Sequence, residues 1–106
     1  MAKYMLQGSY TAEGARGLLK DGGSGRRAAV ERACASVGGK LETFYFSFGA
    51  DDFVVIVDAP DNEAAAAVAL GVAATGAVTL RTTVLLTIEQ ADAVAKRVVD
   101  YRAPGA

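Results

Sequence analysis

The chain has 106 residues, a formal net charge of −1 and 52% apolar residues, the scale of one small domain with one core. Its eleven basic residues are scattered rather than gathered in a stripe, which argues against a general nucleic-acid binder, and no run of about 18 apolar residues exists to span a membrane. There is no histidine, which removes the commonest general base and metal ligand, histidine-ligated haem, and the Ser-His and Cys-His nucleophile pairs. Cys34 is the sole cysteine, so an intrachain disulfide is ruled out. With no signal-peptide pattern at Met1-Ala2-Lys3-Tyr4, the simplest expectation is a cytoplasmic protein.

Lys3 to Tyr10 alternates, with Tyr4, Leu6, Gly8 and Tyr10 on one side, and is read as a first strand. Thr11 is a candidate N-cap with Glu13 in the first helical turn, and this short helix should end at Lys20-Asp21-Gly22-Gly23. A second helix opens at Ser24 or Gly25. Val30, Ala33, Cys34 and Val37 form its apolar stripe, and Gly38-Gly39 stops it. Phe44 to Asp58 is the most strand-like stretch of the chain. Aromatic and β-branched residues flank Gly49-Ala50-Asp51-Asp52, which predicts a hairpin with strands over about Lys40 to Phe48 and Asp52 to Ala59.

Pro60-Asp61-Asn62 breaks that strand and caps a helix over Ala64 to Ala74. This alanine-rich run is apolar all round, which predicts burial on more than one side, with Gly71 allowing a close approach and Gly76 ending it. Ala77 to Leu86 alternates as a further strand. Thr87-Ile88-Glu89-Gln90 is a capping-box pattern that opens a last helix, to about Arg97. An extended tail, 98–106, follows. The predicted fold is α+β, a ferredoxin-like βαββαβ unit. It has a four-stranded antiparallel sheet with helices on one face, plus an extra C-terminal helix, all in one domain over 1–106. Strand parity places Phe44, Phe46, Phe48, Val78, Leu80 and Val84 in the core. It places Thr43, Tyr45, Ser47, Thr79, Arg81 and Thr83 on the bare face, which suits a subunit interface or a ligand pocket.

The segments Gln7-Gly8-Ser9-Tyr10-Thr11, Lys20 to Arg27, Phe44 to Ile56 and Thr82 to Thr87 resemble the GYD-domain family. The resemblance runs to about Gln90. Gly49 and Asp52 match the family's name motif, while Asp51 stands where that motif has tyrosine. The resemblance implies a ferredoxin-like fold and association through the bare sheet face. It brings no established reaction.

Four groups of residues invite a functional reading. Gly49 to Asp52 is turn chemistry before it is a cation site, because two carboxylates are too few oxygens for one. Gly23, Ser24, Gly25, Arg26 and Arg27 form a glycine-rich helix start with two cations. The segment is read either as an anion site or as a linker with solvated arginines. Arg81, inside a threonine-rich strand, is expected to pair with Glu42 or Asp58, or else to hold an acidic ligand together with Tyr45. Cys34 reads as a small buried hydrophobe. The resulting expectation is a homo-oligomer, a dimer ahead of a trimer, that binds a small anionic metabolite without turnover, metal or cofactor. Its rivals are a cofactor-free isomerase or oxygenase using Tyr45 or Asp52 as acid or base, and a purely structural interaction module.

Overall fold

A computed structural model describes residues 1–106. The elements are β1 (Ala2–Tyr10), α1 (Ala12–Ser36), β2 (Lys40–Phe46), β3 (Phe53–Ala59), α2 (Asn62–Ala73), β4 (Val78–Leu85) and α3 (Ile88–Ala95). The order is βαββαβα, which departs from a bare βαββαβ plan by its last helix. The four strands form one antiparallel sheet in the order β2-β3-β1-β4. β1 and β3 are therefore interior and β2 and β4 are edges.

The period-two pattern of the strands decides what the sheet buries. Tyr4 and Leu6 of β1, Phe53, Val55, Val57 and Ala59 of β3, and Val78 of β4 face the helices and form the core with Cys34 and Ala65. Phe44, Phe46 and Leu80 pack against that core from the edge strands. Between Leu41 and Thr43 the register shifts, so Glu42 is an extra residue in β2. That bulge brings Leu41 onto the same side as Phe44.

Side-chain caps set the helix starts. Thr11 accepts from the Gly14 amide, Asp61 from the Ala64 amide, and Thr87 with Gln90 closes a full capping box. The two helices that the sequence predicts are present within α1, separated not by a linker of several residues but by Gly22 alone, where φ is +72°. A single glycine in an extended-positive conformation is enough to redirect the helix, and the rest of the predicted linker is helical. Gly38 (φ +76°) follows the end of α1 and Gly76 (φ +76°) follows the end of α2.

Three expectations need correction. Phe48 does not extend β2 into the core. Ser47 donates its amide to the Asp52 carbonyl and its hydroxyl to the Asp51 carbonyl, which closes the turn there. Phe48 lies inside that turn at φ +46°, 68% exposed, with its ring stacked on Phe46 at 5.9 Å. Within one chain the alanine-rich α2 is covered on one side only: Ala65 is buried, Leu70 is 72% exposed, and no atom approaches Gly71 closely; cover by another subunit stays an expectation. Arg81 pairs with neither Glu42 nor Asp58, because β2 and the far end of β3 lie across the sheet from it and Lys3 already bridges those two acids at 3.1 and 2.8 Å. Its partner is Asp51, at 2.7 Å.

Candidate functional site

The predicted site residues separate into three places. Tyr45, Val54, Gln7 and Arg81 form one register row straight across the bare sheet face. Tyr45 and Arg81 thus share a face, as parity predicts. They stand at its two outer edges, however, three inter-strand steps and roughly 14 Å apart. No concavity joins them. Arg81 donates to both Asp51 oxygens, at 3.2 and 2.7 Å, and to Gln7 at 3.2 Å. The aspartate in the tyrosine's place in the name motif therefore ties the hairpin turn to the β4 edge.

Its neighbour Asp52 has a different task. One carboxylate oxygen accepts the Tyr10 amide at 2.9 Å, and the Asp52 amide donates to the Gly8 carbonyl at 2.7 Å. These bonds fix the turn to the end of β1. The two adjacent acids thus point to separate partners and do not converge on a common centre.

The Gly23 to Arg27 segment divides at its two arginines. Gly23, Ser24 and Arg27 border a small hollow over Phe44 and Phe46, and Arg27 also shares a shallow depression at the β2 edge with Glu31 and Tyr45. Gly25, exposed, meets only Asp21 one turn back. Arg26 turns the other way, into a cleft of 530 Å³ between α1 and α2.

That cleft is the main concavity of the chain. Its walls are largely small and apolar: Gly17 and Ala33 of α1, Val68 and Gly71 of α2, and Val78 below. The bend at Gly22 matters here, because residues from both halves of α1, before and after it, line the same space. The alanines and glycines leave the room that larger side chains would fill. The volume falls within the range of small-molecule sites.

The polar groups in the cleft can be sorted by what they already do. Ser36 and Thr75 donate their hydroxyls to the Ala33 and Val72 carbonyls in the last turns of α1 and α2, at 2.6 and 2.7 Å. Arg26 and Asp21 stand 3.6 Å apart, a loose ion pair beyond hydrogen-bonding distance. Burial pushes the Tyr10 hydroxyl above its ordinary pKa, an effect that Arg26 beside it partly offsets. Arg26 and Tyr10 therefore supply the donors that remain for a guest, while Asp21 and Glu13 make the mouth unfavourable to a multiply charged anion. Tyr10 does not stand out in sequence as a site residue, since its alternation with Tyr4 and Leu6 marks it only as inward-facing. Cys34 is buried on the core-facing side of α1, and burial raises its thiol pKa, which keeps it protonated and unreactive.

An antiparallel sheet covered on one face by two helices, with a cleft between them, defines a small α+β domain. Residues 4–95 match the GYD domain model, and the chain belongs to that family. Comparison with curated proteins and with solved structures finds no match to the chain. No helix is long and apolar enough to cross a membrane.

Proposed function

We propose that this chain is a homo-oligomeric binding module on a ferredoxin-like plan, forming one domain over 1–106. In this reading the cleft between α1 and α2 takes a small, mostly apolar monoanion without turnover. The observation that carries it is the 530 Å³ apolar cleft with Arg26 and Tyr10 as its available donors. The apolar walls take the body of the guest, and Arg26 takes its single negative charge in competition with the loosely held Asp21. Oligomerisation is supported by the uncovered sheet face, where Met5, Val54 and Ile56 remain partly exposed. An acid–base role has less support. The Asp52 carboxylate holds the Tyr10 amide, and Tyr45 stands on an edge strand with no cavity beside it that Asp52 also lines.

The test is thermal unfolding with octanoate as the probe and inorganic phosphate as the control. At ten times its Kd, octanoate adds about 1.4 kcal/mol, which for a chain of this length is a rise of roughly 6–11 °C. Phosphate should give no shift. Arg26→Ala should abolish the octanoate effect, and Val68→Phe should weaken it by filling the cleft. An octanoate shift that persists undiminished in Arg26→Ala, or no shift at millimolar octanoate, sinks the proposal.

A further inference from the structure

The chain exposes much more surface than a compact monomer of its mass. Its accessible area is 7136 Å², against roughly 5,600 Å² for a folded monomer of this size. Its radius of gyration is 16.7 Å and its longest extent 56 Å, where a compact chain of this length has a radius of about 13 Å. The excess lies at one end. Every residue from Ile88 to Ala106 is exposed, and α3 buries no residue.

This end does not have the composition of a solvated tail. Leu86, Ile88, Val94, Val98, Val99 and Tyr101 are all exposed, Ile88 by 77% and Val98 by 97%. It is also structured at its origin, because the Thr87–Gln90 capping box starts α3 two residues after β4 and aims it away from the sheet. Beside that origin lies an apolar groove of 360 Å³, lined by Ala66, Leu70 and Ala73 of α2 and Leu80, Thr82 and Val84 of β4. The same β4 that floors the groove runs directly into the arm. The chain thus carries an uncovered apolar arm and an uncovered apolar groove on either side of one short connection.

We infer that two copies exchange these arms, the segment from Leu86 to Tyr101 of each lying in the α2–β4 groove of the other. A two-fold axis near Thr87 brings each groove to the point where the other chain's arm departs, so a single operation satisfies both arms and closes the assembly. The areas agree. Six apolar side chains carry on the order of 500 Å² per arm, so two arms and the surfaces they cover come to roughly 2,000 Å², the size of a stable interface. That is roughly 1,000 Å² per chain, about two thirds of the excess of roughly 1,500 Å² per chain. Charge does not decide the fit, because Lys96 and Arg97 of the arm are offset by Glu89, Asp92 and Asp100. The bare sheet face matches the arm less well, because Lys3–Asp58 and Arg81–Asp51 ion pairs occupy its ends.

This inference rests on the oligomeric part of the function proposed above and is independent of the ligand. Its test uses the full chain and two variants altered at exposed positions, Leu70→Glu in the groove and Val94→Glu with Val98→Glu in the arm. Far-UV circular dichroism reports that each remains folded. Sedimentation should show the wild type at twice 10.9 kDa. Each variant alone should weaken self-association roughly a hundredfold or more. A mixture of the two should recover a dimer, since one intact arm and one intact groove still meet. Variants that stay dimeric, or a mixture that stays monomeric, overturn the exchange while leaving an oligomer by another surface. A wild type of three chains overturns the two-fold arrangement, and a monomeric wild type overturns the oligomeric reading as well.

Discussion

Two glycines three residues apart in α1 should respond to alanine in opposite directions. At Gly17 no atom lies within 4 Å of an added Cβ. Alanine there should stabilise the chain by about 0.5–1 kcal/mol, the usual helical preference over glycine. At Gly14 the same Cβ would lie 1.9 Å from the Ala77 carbonyl oxygen. That oxygen is backbone and cannot rotate away, so α1 must retreat from the start of β4 by roughly 1 Å or more. The retreat strains the bonds that dock the helix there: the Thr11 amide to Ala77 at 3.0 Å, and the Thr11 hydroxyl to Gly76 at 2.8 Å. Two such bonds contribute about 1 kcal/mol each, and overpacking adds about 1–3 kcal/mol. After the helical gain is subtracted, Gly14→Ala should cost about 2–4 kcal/mol. For a chain of this length that is a fall in Tm of roughly 10–30 °C. Urea unfolding followed by circular dichroism measures both variants on one scale, with the slope m showing whether two-state behaviour is kept. Equal stability of the two variants would refute the close approach of Gly14 to Ala77 and the docking of α1 that depends on it.

Asp52→Ala should cost about 1–2 kcal/mol, because the Tyr10 amide loses its acceptor, whereas Asp52→Asn should recover most of that through its remaining carbonyl oxygen. Equal losses in the two variants would instead point to the negative charge. Stability should fall on the alkaline side. Burial raises the pKa of Cys34 and Tyr10 above ordinary values of 9.0 and 10.0, and hydrogen bonds to Asp58 and Glu42 raise that of Lys3 above 10.5. A raised folded-state pKa gives stability that is complete below the unfolded value and is lost as pH climbs through the folded one. The urea midpoint should therefore fall progressively above about pH 9. A midpoint that climbs over that range refutes the assignment, as does rapid reaction of Cys34 with a thiol reagent in the folded chain at neutral pH.

Local chemistry makes several elements legible in the amino-acid sequence. The caps at Thr11, Asp61 and Thr87 act within three residues of themselves, so their side-chain types and spacing suffice to place helix starts. Strand parity likewise assigns Tyr4, Leu6, Phe44, Phe46, Val78 and Leu80 to the helix-covered face, because alternation is a property of the strand alone. The break at Gly22 is less legible. Composition predicts a glycine-rich linker around it, but glycine tolerates a helix when its neighbours support one, and a single positive φ is enough.

The sequence alone therefore determined element order, helix caps, the inward placement of Cys34 and most strand faces, all fixed by interactions a few residues long; Phe48 and Val84, which parity places in the core, are 68% and 59% exposed. The tertiary structure decided which charges meet. Arg81 finds Asp51, thirty residues away, and Lys3 finds Asp58 and Glu42, because sheet order and register bring those strands together. Helix geometry alone makes the adjacent Arg26 and Arg27 diverge by about 100°, but packing decided which spaces they face, the α1–α2 cleft and the β2 edge. Tyr10 and Arg26 become neighbours only when the bent α1 folds over the end of β1. Pattern reads what a residue needs from its own element; partners from distant segments are set by how the elements pack.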